Sequence, residues 1–372
     1  MITRIPSVIQ KFVQAQKESV HPAQRPGKRF SRCLLHIGTE KTGTSTIQRF
    51  LALNRKSLLK KDILYPEATG KSGGSQWSFV ACAKEMPWKH DVGRALGIRS
   101  ADDLAKFQAS FREVLDQEFT AAARADVLLL SSEHFHSRLV TSEEIAQLRY
   151  FLEPWVDRFE VILYLRRQDR VAVSFYSTKI KSGEENPVLF PLARNQGLVY
   201  YFDYEQIYQN WSKVFGKEAM QVRLFAKEEL EQGDLLTDFC KVAGIEMKGK
   251  VVPPIENASL NKRGADFLME VNRQLPKFIG GKRNTERDKL VEFIASLSHG
   301  RYCPATREQA LGFYRRYEEG NRRLQERLFP GRSAPLFDDD FSDYPERVAV
   351  QPPSYEGAVA LAIKIWKSRH QH

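Results

Sequence analysis

Cysteine is scarce in this chain: four in 372 residues, Cys33, Cys82, Cys240 and Cys303, all far apart. None forms a Cys-x-x-Cys pair or stands at ligand spacing with a histidine, which argues against a disulfide framework or a structural zinc site. Reduced thiols are the expectation. No run approaches the roughly 20 apolar residues of a membrane span, and residues 1–28 lack the apolar centre of a secretion signal. The chain also lacks repeats, low-complexity tracts and any long block of like charge, so no nucleic-acid-binding arm is expected. Charge is one-sided all the same: 57 Lys and Arg against 46 Asp and Glu leave +11, a surplus that suits an anionic ligand or surface or, equally, a generally basic solvated surface. At 42% hydrophobic content the chain has the material for one large α/β domain or two small ones.

What is present centres on residues 33–53. An apolar run (Cys33, Leu34, Leu35, Ile37) passes through Gly38 and Gly43 into a segment with Ile47, Phe50 and Leu51 at helical spacing. Strand, tight loop and helix in that order make a phosphate-binding arrangement, because glycines let the backbone approach an anion and a helix N-terminus offers it free N–H groups. Gly38 and Gly43 keep the spacing of a nucleotide-binding P-loop, but Thr44 follows the second glycine and the lysine lies earlier, at Lys41. A kinase or NTPase needs the lysine after that glycine and an acidic Mg²⁺ ligand, and the strand at 127–132 carries no aspartate. Such an enzyme, a non-catalytic nucleotide-binding protein and a plain glycine turn remain the alternatives.

Two further strands end in polar groups. Val127 to Leu130 is a continuous apolar run leading to Ser131, Ser132, Glu133 and His134, as expected of a parallel strand buried on both faces. Glu160 to Leu165 ends in Arg166 and leads into a helix containing Val171, Phe175 and Thr178. Their C-terminal ends form the edge where open α/β sheets bind ligands. Leu104, Phe107, Phe111, Leu115 and Phe119 mark an amphipathic helix over the sheet. The first helix is expected to run to about Lys60, and the Gly-, Ser- and Trp-rich stretch from Tyr65 to Trp88 to be an irregular loop, either an acceptor-site loop or plain surface. A helix over Asp203–Phe215, a strand over Met220–Phe225, a helix over Leu230–Ala243 and a helical region over 259–330 complete the reading.

The fold class expected is α/β, a three-layer P-loop-type parallel sheet flanked by helices, with extra C-terminal helices. The expected organisation is an arm at 1–29, a domain at 30–330 and an extension at 331–372. The extension ends in a basic amphipathic helix, with Val359, Ala362, Ile363 and Trp366 on one face and Lys364, Lys367, Arg369 and His370 nearby. A helix of this kind docks on its own protein or a partner, or lies on an anionic membrane surface.

Lys41-Thr42-Gly43-Thr44-Ser45 resembles the loop with which the sulfotransferase superfamily holds the 5′-phosphosulfate of PAPS (3′-phosphoadenosine 5′-phosphosulfate). Arg166 at a strand end and Ser174 eight residues on, inside the next helix, are similar to its 3′-phosphate motif, with Gln168 where many members have proline. Tyr204 to Trp211, Phe215-Gly216 and Val222-Arg223-x-Phe225 resemble bacterial carbohydrate-type members. Lys262-Arg263-Gly264 is a reordered, weaker match to the Arg-Lys-Gly of cytosolic members, the alternative being a solvated helix start.

The resemblance implies transfer of a sulfuryl group from PAPS to an acceptor hydroxyl, leaving PAP (adenosine 3′,5′-bisphosphate), with no metal required. Lys41 would stabilise the leaving oxygen. Thr42, Gly43, Thr44, Ser45 and Thr46 would cradle the 5′-phosphosulfate, and Arg166 and Ser174 the 3′-phosphate. Glu133 is the first choice of general base, His134 the second and His36 the third, with His36 alternatively a core histidine and Glu133 alternatively a structural partner of Lys41 or Arg166. The acceptor expected is a glycan such as a cell-surface or capsular polysaccharide or its lipid-linked precursor; a lipid or small-molecule alcohol fits almost as well. Golgi-type members carry an N-terminal anchor and none is visible here, so a cytoplasmic enzyme of bacterial type is expected, soluble or peripheral to the inner face of the membrane.

Overall fold

The computed structural model describes residues 29–68, 76–191, 196–254, 259–298, 300 and 302–348, with isolated positions beyond. Residues 1–28 of the expected arm, Gly70, Gly73 and Gly74, and nearly all of the C-terminal amphipathic helix lie outside the described residues.

The chain runs β1 (Phe30–His36), α1 (Thr44–Leu53), β2 (Ile63–Leu64), α2 (Trp77–Ala83), α3 (Ala101–Ala121), β3 (Val127–Ser131), α4 (Glu133–Arg138), α5 (Ser142–Leu152), β4 (Val156–Leu165) and α6 (Gln168–Ser182). It continues with α7 (Gln196–Phe202), α8 (Tyr204–Phe215), β5 (Met220–Leu224), α9 (Leu235–Ala243), α10 (Lys262–Gln274), a hairpin of β6 (Phe278–Ile279) and β7 (Lys282–Arg283), α11 (Thr285–Leu297) and α12 (Arg307–Leu328). β1 to β5 form a parallel sheet in the order β2-β3-β1-β4-β5. The fold is therefore α/β, with a five-stranded parallel sheet flanked by helices, as the unbroken apolar runs predict.

Alternation along each strand divides the core between the two faces. Leu34, Leu129, Ile162 and Tyr164 point to one side, where Ile47, Phe50 and Leu51 of α1 meet Leu236 and Phe239 of α9. Leu35, Leu128, Leu130, Val161 and Leu163 point to the other, packed with Phe79, Phe111, Leu115, Phe151 and Trp211. β1 lies between β3 and β4, and the chain passes from β1 out to β2, back to β3 and then across to β4 and β5, so the connections run to either side of β1. The C-terminal ends of these three strands thus border a crevice, the usual ligand position in such sheets.

The structure departs from the sequence-based expectations in several places. The first helix breaks at Asn54, whose side chain donates to Phe50 O and Val251 O, both at 2.8 Å, and accepts from Val251 N at 2.9 Å. Residues Arg55–Leu59 form a separate short helix. The stretch at 65–88 contains α2, whose Phe79, Val80 and Ala81 are fully buried, so tertiary burial outweighs its glycine- and serine-rich flank. β2 and α5 have no counterpart in the sequence reading, and β4 begins at Val156 rather than Glu160. Glu133 and His134 open α4 instead of ending β3.

Residues 331–348, read as part of an extension, pack on the same core through Leu336, Phe337, Phe341 and Tyr344. They are tied there by the buried Arg167, which forks onto Asp169 at 2.8 and 3.0 Å and also donates to Asp338 and to Asp340 O. Tyr344 Oη donates to the same Asp169 at 2.6 Å, and the Phe341 ring centroid lies 4.0 Å from the guanidinium carbon. Arg167→Met would leave the buried Asp169 without its cation. The expected loss in urea unfolding is about 3–5 kcal/mol, the usual result of stripping one partner from a buried pair. Arg322→Met, at an exposed ion pair with Glu319 and Glu326, should cause no resolvable change.

Candidate functional site

The loop between β1 and α1 holds itself open by internal bonds. Thr39 Oγ1 donates to Tyr164 O at 2.8 Å, fixing the loop to the end of β4, and Thr42 Oγ1 donates to Thr39 O at 2.6 Å. Gly43 caps α1 in the left-handed region (φ 80°), and a Cβ there would fall 2.3 Å from Leu235 Cδ2. The cap has no side chain, and the first turn of α1 has no acidic residue, so the first-turn N–H groups of Thr44 and Ser45 keep their capacity for an anion. Lys41 also has a positive φ, 71°. A left-handed conformation costs a non-glycine residue about 1–2 kcal/mol, and strain of this kind clusters at functional sites.

Not all the residues read as an anion cradle face outward. Thr42 and Thr44 are buried, their hydroxyls turned onto Thr39 O, because a carbonyl inside so tight a loop needs donors. Ser45 is exposed and Thr46 half-buried.

Cations converge on this loop. The Lys41 ammonium donates to Thr178 Oγ1 on α6 at 2.7 Å, and Thr178 Oγ1 in turn donates to Ser174 O at 3.3 Å. Arg166 Nη1 donates to Lys41 O at 2.9 Å, and its guanidinium carbon lies 5.4 Å from the Phe225 ring centroid. Burial pulls the Lys41 ammonium below its usual range; Lys181 and Arg166 add to the shift, and Glu40 and Glu133 oppose it. Lys181 is half-buried, and burial lowers it too. Ser174, Thr178 and Lys181 recur at four and three residues, so they share one stripe of α6.

The acidic side of the crevice is carried by α4. Glu133 Oε2 accepts from Gln48 Nε2 at 2.7 Å, while its Oε1 lies 3.7 Å from His134 Nε2. Gln48 stands on the buried face of α1 and also reaches Ser131 O at 3.3 Å. His134 packs against Trp77 with ring centroids 4.2 Å apart, and its buried Nδ1 has no hydrogen-bond partner among the described residues. Burial first, and Arg138 with it, holds this imidazole below its usual range, with Glu133 opposing. In the same loop, Glu40 accepts from Tyr201 Oη at 3.1 Å and lies 3.7 Å from Arg138.

His36 is separated from this chemistry. It is fully buried within β1, its Nδ1 2.8 Å from Ser131 Oγ and its ring against Tyr164 and Phe239, and burial lowers its pKa to about 3. It is the core histidine of the two readings. At the weaker motif, Lys262 pairs with Asp266 and Gly264 is pressed against Ser298, which fits a helix start.

The structure therefore brings Lys41, Ser45, Thr46, Arg166, Ser174, Glu133 and His134 to one sheet edge. Gln48, Thr178 as a lysine partner, and Lys181 were missed. Gln48 was visible as a polar residue on an apolar helix face, and Lys181 as the third member of the α6 stripe.

No protein-family model matches the chain. A curated protein of Archaeoglobus fulgidus, described as uncharacterized, is 27% identical over 207 residues, 54% of this chain and 54% of that protein. The match thus spans about half the length of each. Among solved structures, a sulfotransferase from Alicyclobacillus acidocaldarius aligns over 68% of this chain and 97% of that one, at 16% identity and a TM-score of 0.37.

The His36 environment makes a stability prediction. A histidine whose folded pKa is depressed contributes stability above its unfolded value of 6.5 and loses it as pH falls toward about 3, because the unfolded chain takes the proton first. Unfolding free energy, measured by urea at pH 7.5 and 4.5, should therefore fall less steeply in His36→Gln than in the wild type. Equal slopes would place the titration elsewhere.

Proposed function

We propose that the chain is a sulfotransferase that moves a sulfuryl group from PAPS to an acceptor hydroxyl, on a carbohydrate or cell-surface polysaccharide. The observation that carries the reading is the position of Lys41. Lys41 belongs to the loop that leads into the N-terminus of α1, its ammonium is bonded to Thr178 of α6, and Arg166 braces its carbonyl. Bound PAPS supplies an activated sulfuryl group and leaves as PAP. The donor set fits such a ligand: N–H groups and the Ser45 and Thr46 hydroxyls for the 5′ end, and the Arg166 fork with Ser174 for the 3′-phosphate.

Each residue then has a distinct task. Lys41 exchanges Thr178 for the oxygen on which charge develops, a contact strongest in the transition state. Glu133 takes the acceptor proton; Gln48 holds one of its oxygens, and the other lies 3.7 Å from His134 Nε2. His134, covered by Trp77, is the second candidate for that proton. Lys181 adds a third cation to the field around the ligand. The half-buried Trp77 ring against His134 supplies an apolar face near the proposed base, which supports a sugar. A cytoplasmic location belongs to the same proposal; among the described residues no helix is long and apolar enough to cross a membrane.

Calorimetry with PAP and AMP, and transfer from labelled PAPS to glycan, lipid and phenol acceptors, test the reading. Lys41→Ala should lower turnover by about 10²–10³-fold while PAP still binds, the effect expected of a group acting on transition-state charge. Arg166→Ala and Ser174→Ala should weaken PAP more than AMP, because only PAP carries the 3′-phosphate. Glu133→Gln should reduce turnover more than His134→Gln. A wild-type chain that binds neither PAP nor PAPS would sink the proposal.

A further inference from the structure

The β6–β7 hairpin stands outside the main sheet, between α10 and α11. Its strands are antiparallel, with Phe278 opposite Arg283 and Ile279 opposite Lys282, and they are joined by Gly280 and Gly281, both with positive φ (56° and 76°). A two-residue turn of that handedness matches the twist of the strands and makes a narrow, defined tip. Its base is held by Asn284, whose N–H donates to Lys277 O at 2.9 Å and whose Nδ2 donates to Pro276 O at 3.1 Å.

The tip carries side chains that the core does not explain. Phe278 is 57% exposed, Ile279 60% and the nearby Leu275 40%. Residues directly opposite across a hairpin share a face. One face therefore bears Phe278 with Arg283, and the other Ile279 with Lys282. The Lys277 ammonium lies 5.8 Å from the Phe278 ring centroid. Neighbouring carboxylates are engaged, Asp288 by Arg283 and Glu270 by Arg273, whereas Lys277 and Lys282 pair with no carboxylate among the described residues.

A convex tip with two apolar side chains is too small for a protein interface, which takes about 800 Å² from each partner. An apolar wedge with cations at the same level is instead complementary to a surface with a negative outer layer and an apolar interior. We propose that the hairpin at 277–283 docks the protein on an anionic phospholipid surface. Phe278 and Ile279 enter the boundary between headgroups and acyl chains, and Lys277 and Lys282 meet the lipid phosphates, while Arg283 stays paired with Asp288. The hairpin is distinct from the C-terminal segment whose sequence predicts an amphipathic helix, and its docking does not depend on the sulfotransferase reading. It does bear on the site, because a Cβ at Gly183, which ends α6, would lie 3.6 Å from Lys277 Cβ. Docking would hold the Ser174, Thr178 and Lys181 stripe close to the lipid.

The test is co-sedimentation of the full chain with vesicles of phosphatidylcholine and phosphatidylglycerol, and with phosphatidylcholine alone. Wild type should bind the mixed vesicles, more weakly at high salt. Phe278→Ser/Ile279→Ser should weaken binding by about tenfold or more, the scale expected for losing two buried apolar side chains. Lys277→Glu/Lys282→Glu should weaken it toward the level seen with phosphatidylcholine alone. Val188→Ser, at an apolar residue 59% exposed elsewhere, should bind like wild type. Unchanged melting temperatures would tie both losses to the surface, and the lysine variant keeps the apolar tip as an independent check. Three results overturn the proposal: no wild-type binding, undiminished binding by the Phe278→Ser/Ile279→Ser chain, or a dimer in light scattering that this variant abolishes.

Discussion

Burial of the parallel sheet on both faces is the constraint on which the rest of the structure depends. Leu34 and Leu35 of β1, Leu129 and Leu130 of β3, and Ile162 and Leu163 of β4 are fully enclosed, half by the α1–α9 layer and half by the opposite layer. No polar chemistry fits within such strands unless it is neutral and bonded, which is the condition of His36 on Ser131. Polar and charged groups therefore gather where the strands end. Lys41, Glu133 and Arg166 follow three different strands, and the parallel register brings those three ends together.

The site is an electrostatic arrangement more than a cavity. Lys41, Arg166 and Lys181 bring three cations to one loop, and burial works against the Lys41 and Lys181 charges. Half-buried like charges held this close raise one another's cost, and the anion proposed for this site would offset it. Glu40 and Glu133 oppose the Lys41 shift from the other side, with Glu40 restrained by Tyr201 and Arg138 and Glu133 by Gln48. Basic and acidic groups thus face one crevice from different elements, the arrangement on which the proposed transfer draws.

The helix α6 links this chemistry to the outer helices. It begins beside the buried Arg167–Asp169 pair, passes Ser174 and Thr178 over the loop, and ends where Arg287 Nη2 donates to Lys181 O at 3.3 Å and Asn272 donates to Ile180 O at 2.8 Å. Its position is fixed at one end by Asp338 and Tyr344 through that pair, and at the other by α10 and α11. Segments remote from the loop in sequence thereby determine how Lys41 is held.

Local pattern was enough for the parts that are locally encoded. Unbroken apolar runs at 127–130 and 160–165 signalled doubly buried parallel strands, and Gly38 and Gly43 marked the loop, because only a glycine accepts those backbone angles so easily. The sequence alone thus determined the fold class and the stretches that supply Lys41, Glu133 and Arg166. Four things were decided only in the tertiary structure. The Asn54 break depends on Val251, nearly two hundred residues away, and the burial of α2 depends on Phe111 and Phe151. The inward turn of Thr42 and Thr44 depends on the carbonyl of Thr39. The partners of Lys41 and Glu133, Thr178 and Gln48, come from helices that no spacing rule connects to them. Periodicity says which face of an element is apolar; which polar groups meet across a crevice is fixed by long-range packing.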